Sequence, residues 1–74
     1  MLEKVKQIIA DELGVELDTI ELESDLAEDF DADSLDAVEL IMALEEAFDI
    51  EIDDTSASNI RTVQDILDYL ENVL

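Results

Sequence analysis

Apolar residues recur at spacings of three and four in separate segments of this chain, which restricts it to packing helix against helix. The first segment contains Leu2, Val5, Ile9 and Leu13, and Gly14 follows it, as glycine often does just past a helix. The last segment has the same spacing in Val63, Ile66, Leu67, Leu70 and Val73. These segments predict amphipathic helices at both ends of the chain.

Two more helices are predicted between them. A long one runs from about residue 34 to 48, and a short one lies near residues 55–60, with Asp53 or Asp54 as its N-cap. Thr62, followed three residues later by Asp65, begins the last helix in the manner of a capping box. The predicted fold class is all-α: a small helical bundle of three longer helices plus one short helix, with a long loop between the first and second helices.

That loop covers residues 15–33. Ile20–Leu22 alternates like a strand, but no second strand is available to pair with it, so we predict only a short helical turn. The loop contains six apolar residues that would pin it across the helices: Val15, Leu17, Ile20, Leu22, Leu26 and Phe30.

The size of the chain, residues 1–74, predicts one domain with a single core. There is no cysteine, so disulfides and thiolate–metal sites are excluded. No apolar run approaches the roughly 18 residues of a membrane span, and Met1 opens no signal-like segment. We therefore expect a cytoplasmic monomer that does not insert into membranes.

Negative charge dominates the composition. There are 23 Asp and Glu residues against 3 Lys and Arg, a net charge of −20 at pH 7, and no basic residue lies between Lys6 and Arg61. Such a chain repels nucleic acids and attracts basic protein surfaces. A hydrophobic content of 49% argues against disorder. Because folding brings like charges together, we expect the pKa values of many carboxyl groups to rise.

The predicted middle helix has a strip of mixed character between its core face and its solvated face. The core face comprises Ala37, Leu40, Ile41, Leu44, Ala47 and Phe48, and the solvated face comprises Asp36, Glu39, Ala43 and Glu46. The strip between them consists of Leu35, Val38, Met42 and Glu45. Val38 and Met42 either widen the core or form a docking surface, whose apolar side chains provide affinity and whose bordering acids attract a basic partner.

Ser34 begins this helix, and its surroundings limit its chemistry. Asp29, Asp31 and Asp33 match positions 1, 3 and 5 of a calcium-binding loop. The glycine and the final glutamate of such a loop are replaced by Ser34 and Leu40, which argues against calcium. A nucleophilic serine needs a base, and the chain has no histidine. Ser34 is therefore better interpreted as an acceptor that another enzyme modifies.

The segment DSLDAVELIMALEEAFDIEI, which starts at Asp33, resembles the motif of bacterial acyl carrier proteins, and the likeness continues through TVQDILDYL, which starts at Thr62. In that family the serine of Asp-Ser-Leu bears 4′-phosphopantetheine. The resemblance thus implies covalent attachment of this cofactor at Ser34, with Asp33 as the motif acid before it. It also implies that basic partner enzymes dock on Leu35, Asp36, Val38, Glu39, Met42, Glu45 and Glu46.

The function that the resemblance implies is that of a carrier, not an enzyme. A phosphopantetheinyl transferase would load Ser34 from coenzyme A, and the thiol of the arm would carry fatty acyl chains as thioesters to fatty acid synthesis enzymes. The acyl chain would shelter near Leu44, Ile52 and Ile60, with the short helix as its gate. The alternatives are a carrier of polyketide, aryl or D-alanyl groups or, from a different class, an acidic calcium-binding or inhibitory protein.

The chain departs from the family pattern at a few positions. Asp31 stands where glycine is usual, and aspartate tolerates left-handed backbone better than most residues, so we expect that turn to form. Asp53 replaces a common proline, and Thr55 and Ser58 replace common acids. These three changes bear on the shape of the short helix and on partner choice.

Overall fold

The chain forms four α-helices and no β-sheet in a computed structural model that describes residues 1–74. The helices are α1 (Leu2–Leu13), α2 (Ser34–Phe48), α3 (Asp54–Asn59) and α4 (Val63–Val73), and a 3₁₀ turn, η1 (Leu17–Thr19), lies between α1 and α2. The predicted all-α bundle of three longer helices and one short helix, with its long loop, is confirmed. No helix combines the length and the apolar character needed to cross a membrane.

Local sequence signals set the helix ends. Gly14 ends α1 with a left-handed φ of 67°, and its N–H donates to the Ala10 carbonyl at 2.9 Å. Asp53, not Asp54, caps α3 by accepting the Ser56 N–H. At the start of α4, the Thr62 hydroxyl accepts the N–H of Asp65, and the Asp65 carboxylate accepts the N–H of Thr62, which completes the predicted capping box.

One core holds the longer helices together. Its buried apolar residues are Val5, Ile9, Ile20, Leu26, Leu40, Leu44, Ile52, Val63, Ile66, Leu67 and Leu70. Helix α1 packs against both α2 and α4, and Lys4 extends across to the C-terminal end of α2, where its Nζ donates to the Ala47 carbonyl at 3.3 Å. The prediction that Ala37 belongs to the core face is wrong, because its side of the first turn of α2 lies beside an open pocket.

The long loop is fixed to the start of α4 by backbone hydrogen bonds. The N–H of Leu26 donates to the Arg61 carbonyl at 2.9 Å, and the N–H of Gln64 donates to the Leu22 carbonyl at 2.9 Å. An isolated β-bridge pairs Asp25 with Thr62. The loop residue that forms a β-bridge therefore lies after the strand-like segment Ile20–Leu22 and not within it. The six apolar residues of the loop are buried in the core or packed against it, as predicted.

Three carboxyl groups have clearly shifted pKa values, and all three are lowered. For Asp25 and Asp65 the main cause is a backbone hydrogen bond, from Glu28 and Arg61 respectively, which lowers the pKa by stabilising the carboxylate. For Asp53 the main cause is a hydrogen bond from the Ser56 side chain. For these groups the expected rise in pKa is therefore wrong in direction.

Candidate attachment and docking site

Ser34 is the first residue of α2 and is exposed to solvent. Asp33 is the N-cap: its Oδ1 accepts the N–H of Asp36 at 2.9 Å, and Asp36 Oδ2 accepts the N–H of Asp33 at 3.3 Å. This reciprocal box fixes the backbone on both sides of Ser34. The sequence signal for this box is the Asp-x-x-Asp spacing of Asp33 and Asp36, in which aspartates replace the usual Ser or Thr and Glu.

The N-terminus of α2 fits a covalently attached phosphodiester. The N–H of Asp36 is taken by the Asp33 side chain and that of Ala37 by the Asp33 carbonyl. The N–H groups of Ser34 and Leu35 come too early in the helix to have an intrahelical acceptor. An anionic group on the Ser34 oxygen would therefore lie beside free donors and the positive end of the dipole of a 15-residue helix.

The turn before Ser34 takes the backbone shape that the sequence predicts. Asp31 is left-handed, with φ 58°. Asp29 Oδ2 accepts the N–H of Asp25 at 2.6 Å, and the N–H of Ala32 donates to the Leu26 carbonyl at 3.2 Å. Two of the three carboxylates that match a calcium-binding loop, those of Asp29 and Asp33, thus stabilise the turn and the cap. No group of three or more His, Cys, Asp or Glu side chains is arranged to hold a metal ion.

The mixed strip of α2 lies on the surface. The exposed fractions are 65% for Leu35, 54% for Val38 and 55% for Met42, so the interpretation that Val38 and Met42 widen the core is wrong. Among the acids predicted for docking, Glu39 and Glu46 are exposed, while Asp36 and Glu45 are half-buried. The face is an apolar stripe with carboxylates along it.

Glu45 has a further contact that the sequence pattern did not reveal. Its Oε2 accepts the N–H of Ile52 at 2.7 Å, across the turn that follows α2. Helical periodicity describes neighbours three and four residues apart, so it gives no signal for a bond to a residue beyond the helix.

A pocket of about 190 Å³ opens beside the first turn of α2. Its lining residues are Asp25, Leu26, Ala27, Glu28, Ala32, Ala37, Ile60 and Arg61. Of the three residues predicted to shelter an acyl chain, only Ile60 lines this pocket, because Leu44 and Ile52 are closed into the core. The small side chains of Ala32 and Ala37, on either side of Ser34 in the sequence, leave this space open.

Comparison with known proteins agrees with this geometry. Residues 3–70 match the family model described as a phosphopantetheine attachment site. The acyl carrier protein of Thermosynechococcus vestitus is 56% identical over 97% of this chain and 89% of its own length. That of Syntrophobacter fumaroxidans is 58% identical over 90% of this chain and 83% of its own length.

The fold matches as well. A solved structure from Mycobacterium tuberculosis, described as an acyl carrier protein, superposes with a TM-score of 0.90 at 31% identity, over 100% of both chains. The chain therefore belongs to the acyl carrier proteins, the family whose members bear phosphopantetheine on an attachment site.

Proposed function

We propose that Ser34 Oγ is the attachment point of 4′-phosphopantetheine and that residues 1–74 act as one acyl carrier domain in fatty acid synthesis. The observation that supports the site best is an exposed serine hydroxyl at the start of α2, beside free backbone N–H groups. When attached, the arm supplies a thiol that holds an acyl group as a thioester.

The residues of the chain itself position and present this group. Asp33 and Asp36 fix the start of α2, and the pocket beside Ala37 and Ile60 offers apolar walls near the attachment point. The chain has no histidine, so the general base that removes the proton from the Ser34 hydroxyl during loading comes from the transferase. The protein is accordingly a carrier without catalysis of its own, working as a cytoplasmic monomer.

The partners are the phosphopantetheinyl transferase and the fatty acid synthesis enzymes. They dock on α2, where the exposed Leu35, Val38 and Met42 provide the apolar contact. The carboxylates of Asp36, Glu39, Glu45 and Glu46 attract basic docking patches on those enzymes.

Intact mass after loading tests the attachment site. The chain is incubated with coenzyme A and a phosphopantetheinyl transferase of broad specificity, and it should gain one phosphopantetheinyl group. Ser34→Ala should gain none, whereas the matched control Ser58→Ala, at an exposed serine of α3, should load fully. Loading of the Ser34→Ala chain would show that the arm is attached elsewhere.

A further inference from the structure

Arg61 is the only Lys or Arg side chain beside the end of α2 that begins with Ser34. After Lys6, the sequence contains no other basic residue. Lys4 lies near the opposite end of α2, where its Nζ donates to the Ala47 carbonyl, about 20 Å along the helix from its first residue. An anion attached at the start of α2 therefore has one basic side chain within its neighbourhood.

The present contact of Arg61 is loose. Its Nη2 lies 3.6 Å from Asp25 Oδ2, which is longer than a hydrogen bond, and its side chain is 73% exposed. Asp25 does not depend on this contact, because its Oδ1 accepts the N–H groups of Ala27 and Glu28, each at 2.9 Å. Exposed ion pairs of this kind contribute little to stability. The guanidinium can therefore turn toward another anion at low cost.

The pocket beside the first turn of α2 lies between Arg61 and the face that bears Ser34. Ser34 and Ala37 are three residues apart in α2, so their side chains lie on the same face of the helix. Ala37 and Arg61 both line the pocket. Its volume is about 190 Å³, so only a few atoms separate the residues on its two sides.

We propose that Arg61 is a positioning residue for the phosphodiester on Ser34. The guanidinium turns from Asp25 and donates to the phosphate oxygens across the mouth of the pocket, in the paired geometry that arginine forms with phosphate. This contact directs the start of the arm toward the apolar walls that Ala37 and Ile60 provide. The inference rests on the proposed function, because it needs the arm on Ser34.

NMR of the loaded chain tests the contact. With a free thiol and no acyl group, the phosphodiester is the only anionic group of the arm. Arg61→Gln should shift the phosphorus resonance and lower the order parameters of the arm amides. Lys6→Gln is the matched control, since it removes the same charge from α1 in a separate groove, and it should change neither. Identical signals in the Arg61→Gln and unchanged chains would overturn the proposal.

The melting temperature before and after loading gives a second test. In the Arg61→Gln chain, loading adds a negative charge beside Asp33 and Asp36 with no guanidinium to offset it. Loading should therefore lower the melting temperature more in this chain than in the Lys6→Gln chain. Each unloaded variant is its own reference, so the lost contact with Asp25 cancels. Arg61→Lys keeps the charge without the planar fork and should fall between Arg61→Gln and the unchanged chain.

The same change on loading in the Arg61→Gln and Lys6→Gln chains would contradict the contact. Intact mass, taken before each measurement, distinguishes this failure from a failure of the attachment site. Loading at a residue other than Ser34 would overturn both proposals. A chain loaded on Ser34 whose phosphorus resonance is independent of Arg61 would contradict only the positioning role.

Discussion

Asp31 lies in the turn that leads to Ser34. It adopts φ 58° in the turn before α2, a conformation that costs most residues other than glycine about 1–2 kcal/mol. Aspartate and asparagine reach it more easily, because their short polar side chains form local hydrogen bonds. The turn therefore tolerates the loss of the usual glycine.

Two substitutions at this position separate backbone from charge. Asp31→Asn and Asp31→Ala remove the same negative charge, but alanine is disfavoured at positive φ. We expect Asp31→Asn to be more stable than Asp31→Ala by about 1 kcal/mol in urea unfolding. Equal stability of the two variants would show that φ at this position is not held positive in solution.

At the scale of the elements, α2 has a buried side and an exposed side that perform different tasks. Leu40 and Leu44 anchor it in the core, whereas Leu35, Val38 and Met42 remain exposed at spacings of three and four. A helix that only stabilised the fold would not need this exposed apolar stripe. We therefore expect the stripe to contribute binding energy in complexes with partner proteins.

Substitutions on this exposed side should change partner kinetics. Glu39→Lys should slow association with the transferase by about tenfold at low salt, because charge steers the encounter. Met42→Ala should mainly speed dissociation, since it removes apolar contact. Stopped-flow binding separates the two rates. Asp18→Lys, the same charge change at an exposed position of η1, is the control, and equal slowing by both lysines would argue against a specific docking face.

The start of α4 gives the fold a defined response to acid. The pKa of Asp65 is lowered, mainly by the N–H of Arg61, so its contribution to stability is complete above the unfolded value of about 3.9. That contribution is lost as the pH falls through the lower, folded value. Asp65→Ala should cost about 1 kcal/mol at pH 7, and this cost should shrink at pH 3.

Thermal unfolding at both pH values checks this. Asp68→Ala, which removes the same charge one turn later in α4, is the control and should cost less at pH 7. A cost for Asp65→Ala that is the same at pH 3 and pH 7 would contradict the role of its carboxylate in the cap.

The helices were predictable because their signals are local. The apolar spacing of α1 with Gly14 at its end, the Thr62–Asp65 box and the Asp53 cap each depend on residues only a few positions apart, so the helix boundaries follow from short stretches of sequence. The β-bridge between Asp25 and Thr62 was not predictable, because a local sequence pattern does not indicate which distant residue will pair with it. At the site, the role of Ser34 could be predicted from a motif. The pocket beside it could not, because its shape depends on how the loop, α2 and Ile60 pack together.

At the scale of the whole molecule, charge is crowded into a small volume. The chain measures 27 × 24 × 19 Å and has a net charge of −20. The Debye length is about 30 Å at 0.01 M salt, which exceeds every dimension of the molecule, and about 10 Å at 0.1 M. At low salt each carboxylate therefore interacts with nearly all the others, and the repulsion opposes the compact state.

Added salt should thus stabilise the fold. Raising NaCl from about 0.01 M to 0.5 M should raise the melting temperature by about 4–8 °C. This shift corresponds to a gain of about 1 kcal/mol in the free energy of unfolding for a domain of this size. A Glu12→Gln/Glu23→Gln chain, with two exposed charges removed, should show a smaller rise. A melting temperature that is independent of salt in both chains would contradict the repulsion.

The bonds between residues 22–26 and 61–64 also have a consequence for the order in which the chain is made. They fix the loop that leads through Asp29 and Ala32 to Ser34, yet half of each pair is synthesised long after the serine. Contacts so distant in sequence form late, because the chain between them must first be ordered. A nascent chain that ends before residue 61 therefore presents Ser34 on an unanchored loop, and loading of ribosome-stalled chains of increasing length would locate the point at which the site becomes complete.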